Sequence, residues 1–275
     1  MKKYLSKLIR NHYKAIFRSI SESSSKIGVI NNFEVTFKKN TYLGKKKDQI
    51  FLLPDEIISP YVLKYGYWDY EIIKFIKKYA PKNNLVFLDI GANIGLISKQ
   101  LLCSKIKFEE INCFEPDITS FNCLKKNLNK FSNVNLYNFG LGKKNKKSKL
   151  FINPYNSGDS SFIKKGEYFS ISKIVNINSF FSKNFRKKSF YIFKSDTQGM
   201  DEEIFINIKE KYFKQIKIAI IEISNSNLNN NKIDLFIDRV KNFRVLKDKD
   251  LRNISINQIK NKINRNEEFD LLMSK

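Results

Sequence analysis

The sequence predicts an α/β fold, a mostly parallel sheet with helices on both faces. Two observations carry that expectation. From residue 85 onward, short apolar runs alternate with helical stretches, as consecutive βαβ units require. The first run, Val86-Phe87-Leu88-Asp89-Ile90, leads straight into Gly91-Ala92-Asn93-Ile94-Gly95 and a helical pattern. A buried parallel strand, a tight turn and a helix N-terminus thus share about a dozen residues, the geometry that holds nucleotide-like ligands.

The elements follow in chain order. Residues 1–22 read as a basic amphipathic helix, with Leu5, Leu8, Ile9, Ile16 and Ile20 at helical spacing among Lys and Arg. Such a helix packs on the main domain or on a second subunit, with peripheral membrane contact as the alternative. Residues 23–53 alternate, as in Phe33-Glu34-Val35-Thr36-Phe37, and predict short strands or a hairpin. Residues 1–55 therefore form an N-terminal extension ahead of a domain spanning 56–275 with a single core. Tyr65-Gly66-Tyr67-Trp68-Asp69 marks a turn before a helix carrying Ile72, Ile73, Phe75 and Ile76. Tyr67, Trp68 and Tyr70 there either pack in the core or cover a ligand.

The first domain strand is 85–90, with its helix over 95–104. The second strand is 110–115. Pro116 follows, and Asp117 can cap a helix that carries Phe121, Leu124 and Leu128. The third strand, 134–139, ends at Gly140-Leu141-Gly142. Residues 143–187 then break the alternation and read as an insertion. Strands at 149–152 and 174–177 flank the polar loop Asn156-Ser157-Gly158-Asp159-Ser160-Ser161, which is placed to line a substrate pocket. The fourth strand, 190–196, and the turn Thr197-Gln198-Gly199-Met200-Asp201 precede a helix to about 209, and the fifth strand is 216–222. An Asn-rich loop, a helix over 232–242 and strands at 243–246 and 269–273 complete the chain.

Composition bounds the function. The formal charge of +24, from 51 Lys+Arg against 27 Asp+Glu, raises nucleic acid or anionic lipid as partners. The lysines are spread through the chain rather than gathered in one stripe, so nucleic acid is not the expected partner. No apolar run reaches bilayer-spanning length, and Met1-Lys2-Lys3 leads into no apolar signal core, so the expected location is cytoplasmic. Cys103, Cys113 and Cys123 form no C-x-x-C pair and are expected as buried free thiols. The sole histidine, His12, lies far from the turn, which argues against a catalytic histidine.

The turn also speaks to its ligand. A dinucleotide fingerprint has three glycines, whereas here Asn93 replaces the middle one and Asp89 precedes the first. An acid there repels a pyrophosphate and suits an ammonium group, which S-adenosylmethionine carries. Further acids end successive strands: Glu115, Asp196 and Glu222. In a doubly wound sheet these ends line one crevice, and an acid at the distance of Glu115 holds ribose hydroxyls.

The segments Leu88-Asp89-Ile90-Gly91-Ala92-Asn93-Ile94-Gly95, Phe114-Glu115-Pro116, Phe139-Gly140-Leu141-Gly142, Lys194-Ser195-Asp196-Thr197-Gln198-Gly199 and Ile221-Glu222, in that order, resemble FkbM-type S-adenosylmethionine-dependent methyltransferases. The resemblance covers about residues 60 to 275. It implies a Rossmann-like class I methyltransferase fold, with five parallel strands and a closing antiparallel pair making a seven-stranded sheet. It implies methyl transfer from S-adenosylmethionine to a hydroxyl of a sugar, a cell-surface glycan or a secondary metabolite. By the same resemblance Asp89, Gly91, Asn93 and Gly95 shape the methionine-binding turn. Glu115 holds the ribose, and Asp196 faces the reacting end of the cofactor. Members often have Glu after the glycine of the strand-four motif, where this chain has Met200-Asp201.

A hydroxyl acceptor must lose a proton. Asp196 is the expected catalytic base, with Asp159 and Glu222 as runners-up and orientation of the cofactor as its other role. No metal is required by the spacing. Two rival readings remain: an RNA methyltransferase exploiting the basic surface, and a non-catalytic module on a methyltransferase fold. Asp196-Thr197-Gln198-Gly199 stands where base-modifying enzymes carry an Asn-Pro-Pro-Tyr-like segment, and the intact Asp89, Gly91, Gly95 and Glu115 speak against a degenerate module.

Overall fold

The computed structural model describes residues 28–31, 34–153, 155–224 and 230–275, and the expected helix over 1–22 lies outside them. Strands β1 (Gly28–Asn31), β2 (Glu34–Phe37) and β3 (Gln49–Phe51) form a small antiparallel sheet. Helices α1 (Ile58–Tyr65) and α2 (Tyr70–Tyr79) lead into the main unit. There the chain runs β4 (Leu85–Ile90), α3 (Leu96–Leu102), β5 (Phe108–Phe114), α4 (Ile118–Leu128) and β6 (Val134–Tyr137). Strands β7 (Gly140–Gly142), β8 (Lys146–Phe151) and β9 (Phe169–Asn176) follow, with helix α5 (Ile177–Asn184). The rest is β10 (Phe190–Ser195), α6 (Asp201–Ile206), α7 (Glu210–Phe213), β11 (Ile216–Ile223), α8 (Asn230–Val240), β12 (Val245–Lys247), α9 (Ile256–Asn264) and β13 (Phe269–Ser274).

The central sheet has seven strands in the order β12-β13-β11-β10-β4-β5-β6. Strands β6, β5, β4, β10 and β11 are parallel, and β13 runs against them. Because β12 is antiparallel to β13, it runs with the other five, so only the last strand is reversed. From β4 the chain steps outward through β5 and β6, then returns to place β10 on the other side of β4. The β4/β10 boundary is therefore the switch point, where an open α/β sheet leaves a crevice at its carboxyl ends.

Burial explains the order. Every residue of β4 is buried, as a central strand covered on both faces must be. One apolar cluster lies on each face of the sheet. A third, unlike the single core expected, joins Val35, Phe37, Ile50 and Val62 to Ile94, Leu96 and Cys123. It seats the small N-terminal sheet against the helix that follows the glycine turn. Asp117 caps α4 by accepting from Ser120 N at 2.8 Å. Cys113 and Cys123 are buried, but Cys103 is exposed because α3 ends one residue before it.

The segment 143–187 is more ordered than an inserted loop. Strand β9 pairs in parallel with β7 and antiparallel with β8, making a second three-stranded sheet beside the crevice. Gly140-Leu141-Gly142 belongs to that sheet rather than to the end of the third strand. Among the described residues no helix is long and apolar enough to cross a membrane.

Candidate active site

At the end of β4 the chain reverses through Gly91, whose φ is +74°. A Cβ built there would lie 1.8 Å from the Asp196 carbonyl oxygen. The turn after β4 and the loop after β10 thus touch backbone to backbone, and Asp196 N donates to Ile90 O at 3.0 Å. Asn93 takes φ +50°, a conformation that Asn tolerates better than most residues. Its N–H donates to Glu115 Oε2 at 2.8 Å, and its Nδ2 reaches Ser157 Oγ at 3.4 Å. Its Oδ1 is buried with no hydrogen-bond donor among the described residues.

Glu115 Oε1 accepts from Asp117 N at 2.8 Å, so both carboxyl oxygens are fixed by backbone. Burial, with Asp117 nearby, lifts its pKa to about 8, against the pull of the two N–H bonds and Lys194. Each oxygen retains a second lone pair, and the residue lines the cleft.

Asp89 sits behind this turn. It is fully buried, and its Oδ2 accepts from Ser98 Oγ at 2.6 Å. Its Oδ1 lies 3.2 Å from Lys194 Nζ. The ammonium that the sequence reading assigned to a ligand is thus supplied by Lys194, because that residue is its cross-strand partner on β10. Gly95 is also behind the turn. With φ +84° it lets α4 approach, and a Cβ there would stand 2.6 Å from a Leu124 methyl. Of the six predicted cofactor residues, Gly91, Asn93, Glu115 and Asp196 line the cleft, while Asp89 and Gly95 do not.

Beyond Asp196 the cleft turns acidic. Asp196 is the exposed member, with 40% of its side chain accessible. Gln198 Nε2 donates to both oxygens of Glu222 at 2.9 Å and stands 3.3 Å from Asp196 Oδ1. Lys164 Nζ orients that amide by donating to Gln198 Oε1 at 2.7 Å. Asp69 and Asp270 share Lys249 Nζ at 3.4 and 3.5 Å. Asp159 is taken up elsewhere: Lys164 and Asn153 hold its two oxygens at 2.6 and 2.9 Å, and it does not line the cleft. Trp68 lines the cleft, whereas Tyr67 and Tyr70 gather around Tyr42.

Burial, reinforced by Asp196, Asp201 and Asp270, pushes Glu222 up to about 9. A carboxyl raised this way keeps a proton in the folded state that the unfolded chain gives up from about 4.5 onward. It therefore costs stability as pH rises between those values. Glu222→Gln should leave the melting temperature unchanged below pH 4.5 and raise it progressively as pH rises towards 8.5. Equal effects at both pH values in scanning fluorimetry would refute the protonated assignment.

Residues 89–245 match the methyltransferase FkbM domain, more than half of the chain. The chain belongs to the FkbM methyltransferase family. Among solved structures it is similar to the FkbM methyltransferase of Methylobacillus flagellatus KT, at 14% identity and a TM-score of 0.42, over 68% of this chain and 42% of that one. It therefore spans less than half the length of that protein. It is also similar to a Streptococcus mutans protein solved in complex with SAH, at 11% identity and a TM-score of 0.40, over 74% and 94% of the two chains. Among curated proteins no significant match is found.

The cofactor of FkbM methyltransferases is S-adenosylmethionine, and the cleft of this member fits it. Asn93 and Glu115 give the cleft polar side chains, and Leu141, Phe162 and Met200 form an apolar wall. Sequence reasoning missed Lys194, Gln198 and Asp201 as site residues. Asp201 is fully buried and ties the loop by accepting from Ser195 Oγ at 2.5 Å and Thr197 N at 2.9 Å. Burial lifts it to about 7.

Proposed function

We propose that this FkbM family member transfers a methyl group from S-adenosylmethionine to a hydroxyl of a sugar, a cell-surface glycan or a secondary metabolite. The observation that carries this reading is the composition of the cleft beyond the glycine turn. Four carboxyl side chains, Asp69, Asp196, Glu222 and Asp270, line it in a chain whose net charge is +24. Such a chamber offers hydrogen-bonding oxygens to the hydroxyls of an acceptor, with Lys249 shared between Asp69 and Asp270.

The same reading assigns the roles. Gly91 and Asn93 hold the amino-acid end of the cofactor, Glu115 holds its ribose, and Asp89 and Gly95 fix the turn from behind. When bound, the cofactor supplies a methyl carbon made electrophilic by its sulfonium. The chain's part is to align the two partners and to take the hydroxyl proton on an Asp196 carboxyl oxygen. Because burial keeps Glu222 protonated up to about pH 9, the pair does not compete for that proton.

Calorimetry with S-adenosylmethionine tests the reading. The wild-type protein should bind, and Glu115→Ala should lose at least about tenfold in affinity, or ~1.4 kcal/mol. Glu115→Ala is a better probe than Asp89→Ala, which would strand the buried Lys194 ammonium without its main counter-ion. Absence of binding by the wild-type protein would sink the proposal.

A further inference from the structure

Lys194 is a charged residue inside an otherwise apolar central strand, and only 4% of it is exposed. Its side chain reaches the crevice end of the sheet, between the two loops that form the site. Nζ donates to Gly91 O at 2.9 Å and lies 3.2 Å from Asp89 Oδ1. On the cleft side, Asp196 Oδ2 stands 3.7 Å away. Burial opposes the charge, yet Asp89 and Asp196 outweigh it and hold the ammonium well above the ordinary lysine range.

A counter-ion for Asp89 alone would need none of the other contacts. The bond to Gly91 O sets the carbonyl of the residue that turns the chain after β4. The approach to Asp196 puts a fixed positive charge beside the carboxylate that faces the cleft. That charge matters there because Asp196 is otherwise surrounded by acids: Glu222 from β11, Asp201 from α6, Asp270 from β13 and Asp69 from the turn before α2. Gln198 adds only a neutral amide.

We propose that Lys194 is a positioning residue for methyl transfer, joining the cofactor turn to Asp196 by one buried ammonium that orients the Gly91 carbonyl and stands beside the Asp196 carboxylate. The proposal rests on the methyltransferase reading above. Lysine supplies what the place requires, a compact ammonium with three donors on a long stem.

The test separates this role from simple charge pairing. Lys194→Met strands Asp89 and can fail to fold, so the informative variant is the double substitution Asp89→Asn with Lys194→Met, which removes both buried charges together. The measurements are S-adenosylmethionine affinity by calorimetry and thermal unfolding. Neither needs the acceptor. The double variant should melt within a few degrees of the wild type, yet its cofactor affinity should fall at least about tenfold. Lys194→Arg, which keeps the charge but not the compact head, should also melt like the wild type and lose affinity. A double variant with wild-type affinity would reduce Lys194 to a structural counter-ion. Failure of the wild-type protein itself to bind S-adenosylmethionine would instead overturn the functional reading beneath it.

Discussion

Gly91→Ala should abolish S-adenosylmethionine binding and lower the melting temperature by roughly 10 °C, corresponding to about 3 to 5 kcal/mol. Two costs combine. The left-handed backbone at φ +74° penalises any side chain by about 1 kcal/mol. The larger cost is steric, since the new Cβ would lie 1.8 Å from the Asp196 carbonyl oxygen. Neither partner can yield cheaply. Gly91 N is bonded to Phe114 O at 3.0 Å, and Asp196 N to Ile90 O at 3.0 Å, so both backbones are pinned to neighbouring strands. Any accommodation pushes the β4 turn away from the β10 loop and opens the crevice in which cofactor and acceptor would meet. Gly95→Ala makes the internal control. Its φ is similarly left-handed, but the new methyl would meet the flexible tips of Leu124 and Leu128. It should cost less than half as much. Calorimetric unfolding of the two variants decides the matter. Equal melting temperatures would show that the contact between loops is not what constrains Gly91.

Much of the sheet was legible because its signals are local. Strand β4 is an apolar run interrupted only by Asp89 and ended by glycine, and its observed limits, Leu85–Ile90, are those that the pattern predicts. Asp117 announces α4 by its position before the helix, and it makes the predicted bond. What stayed hidden depends on long-range pairing or on side chains whose purpose lies elsewhere in the chain. Strand β7 is three residues long, and its partner at Ile174 lies far along the sequence, so no local periodicity marks it. Helix α1 is started by Asp55, whose Oδ1 accepts from the N–H groups of Ile57, Ile58 and Ser59, yet Pro60 conceals the helical pattern. Helix α9 carried a readable sign, the Ser255/Gln258 capping box. In the site, the acids at strand ends were visible from spacing alone. Lys194 was not, because strand alternation treats one charge in an apolar run as noise, whereas the folded sheet sets it directly across from Asp89. Asp89 itself shows the limit of reading a motif residue by residue: its charge is spent inside the fold, on Ser98 and Lys194.

Asp196→Asn should lower methyl incorporation at least about a hundredfold while leaving S-adenosylmethionine affinity within a few-fold of wild type, if Asp196 acts as the base. Asn preserves the shape and one acceptor oxygen, so the contact with Gln198, at 3.3 Å in the wild type, survives on that side. What is lost is the ability to hold a proton taken from the acceptor hydroxyl. Glu222 cannot substitute for it below about pH 9, since burial among acids keeps its own proton in place and both its oxygens are bound by Gln198. The measurement is transfer of labelled methyl from S-adenosylmethionine into an extract of glycans and small molecules from the producing cells, alongside calorimetry of the cofactor alone. A large loss of affinity with little further loss of turnover would assign Asp196 to cofactor orientation instead. The two outcomes differ because a base acts only on the acceptor, which calorimetry of the binary complex does not contain. A further arm raises the pH above 9, where Glu222 begins to lose its proton. Partial recovery of Asp196→Asn there, absent from the double substitution with Glu222→Gln, would show that the second carboxyl can take up the proton once it is free to do so.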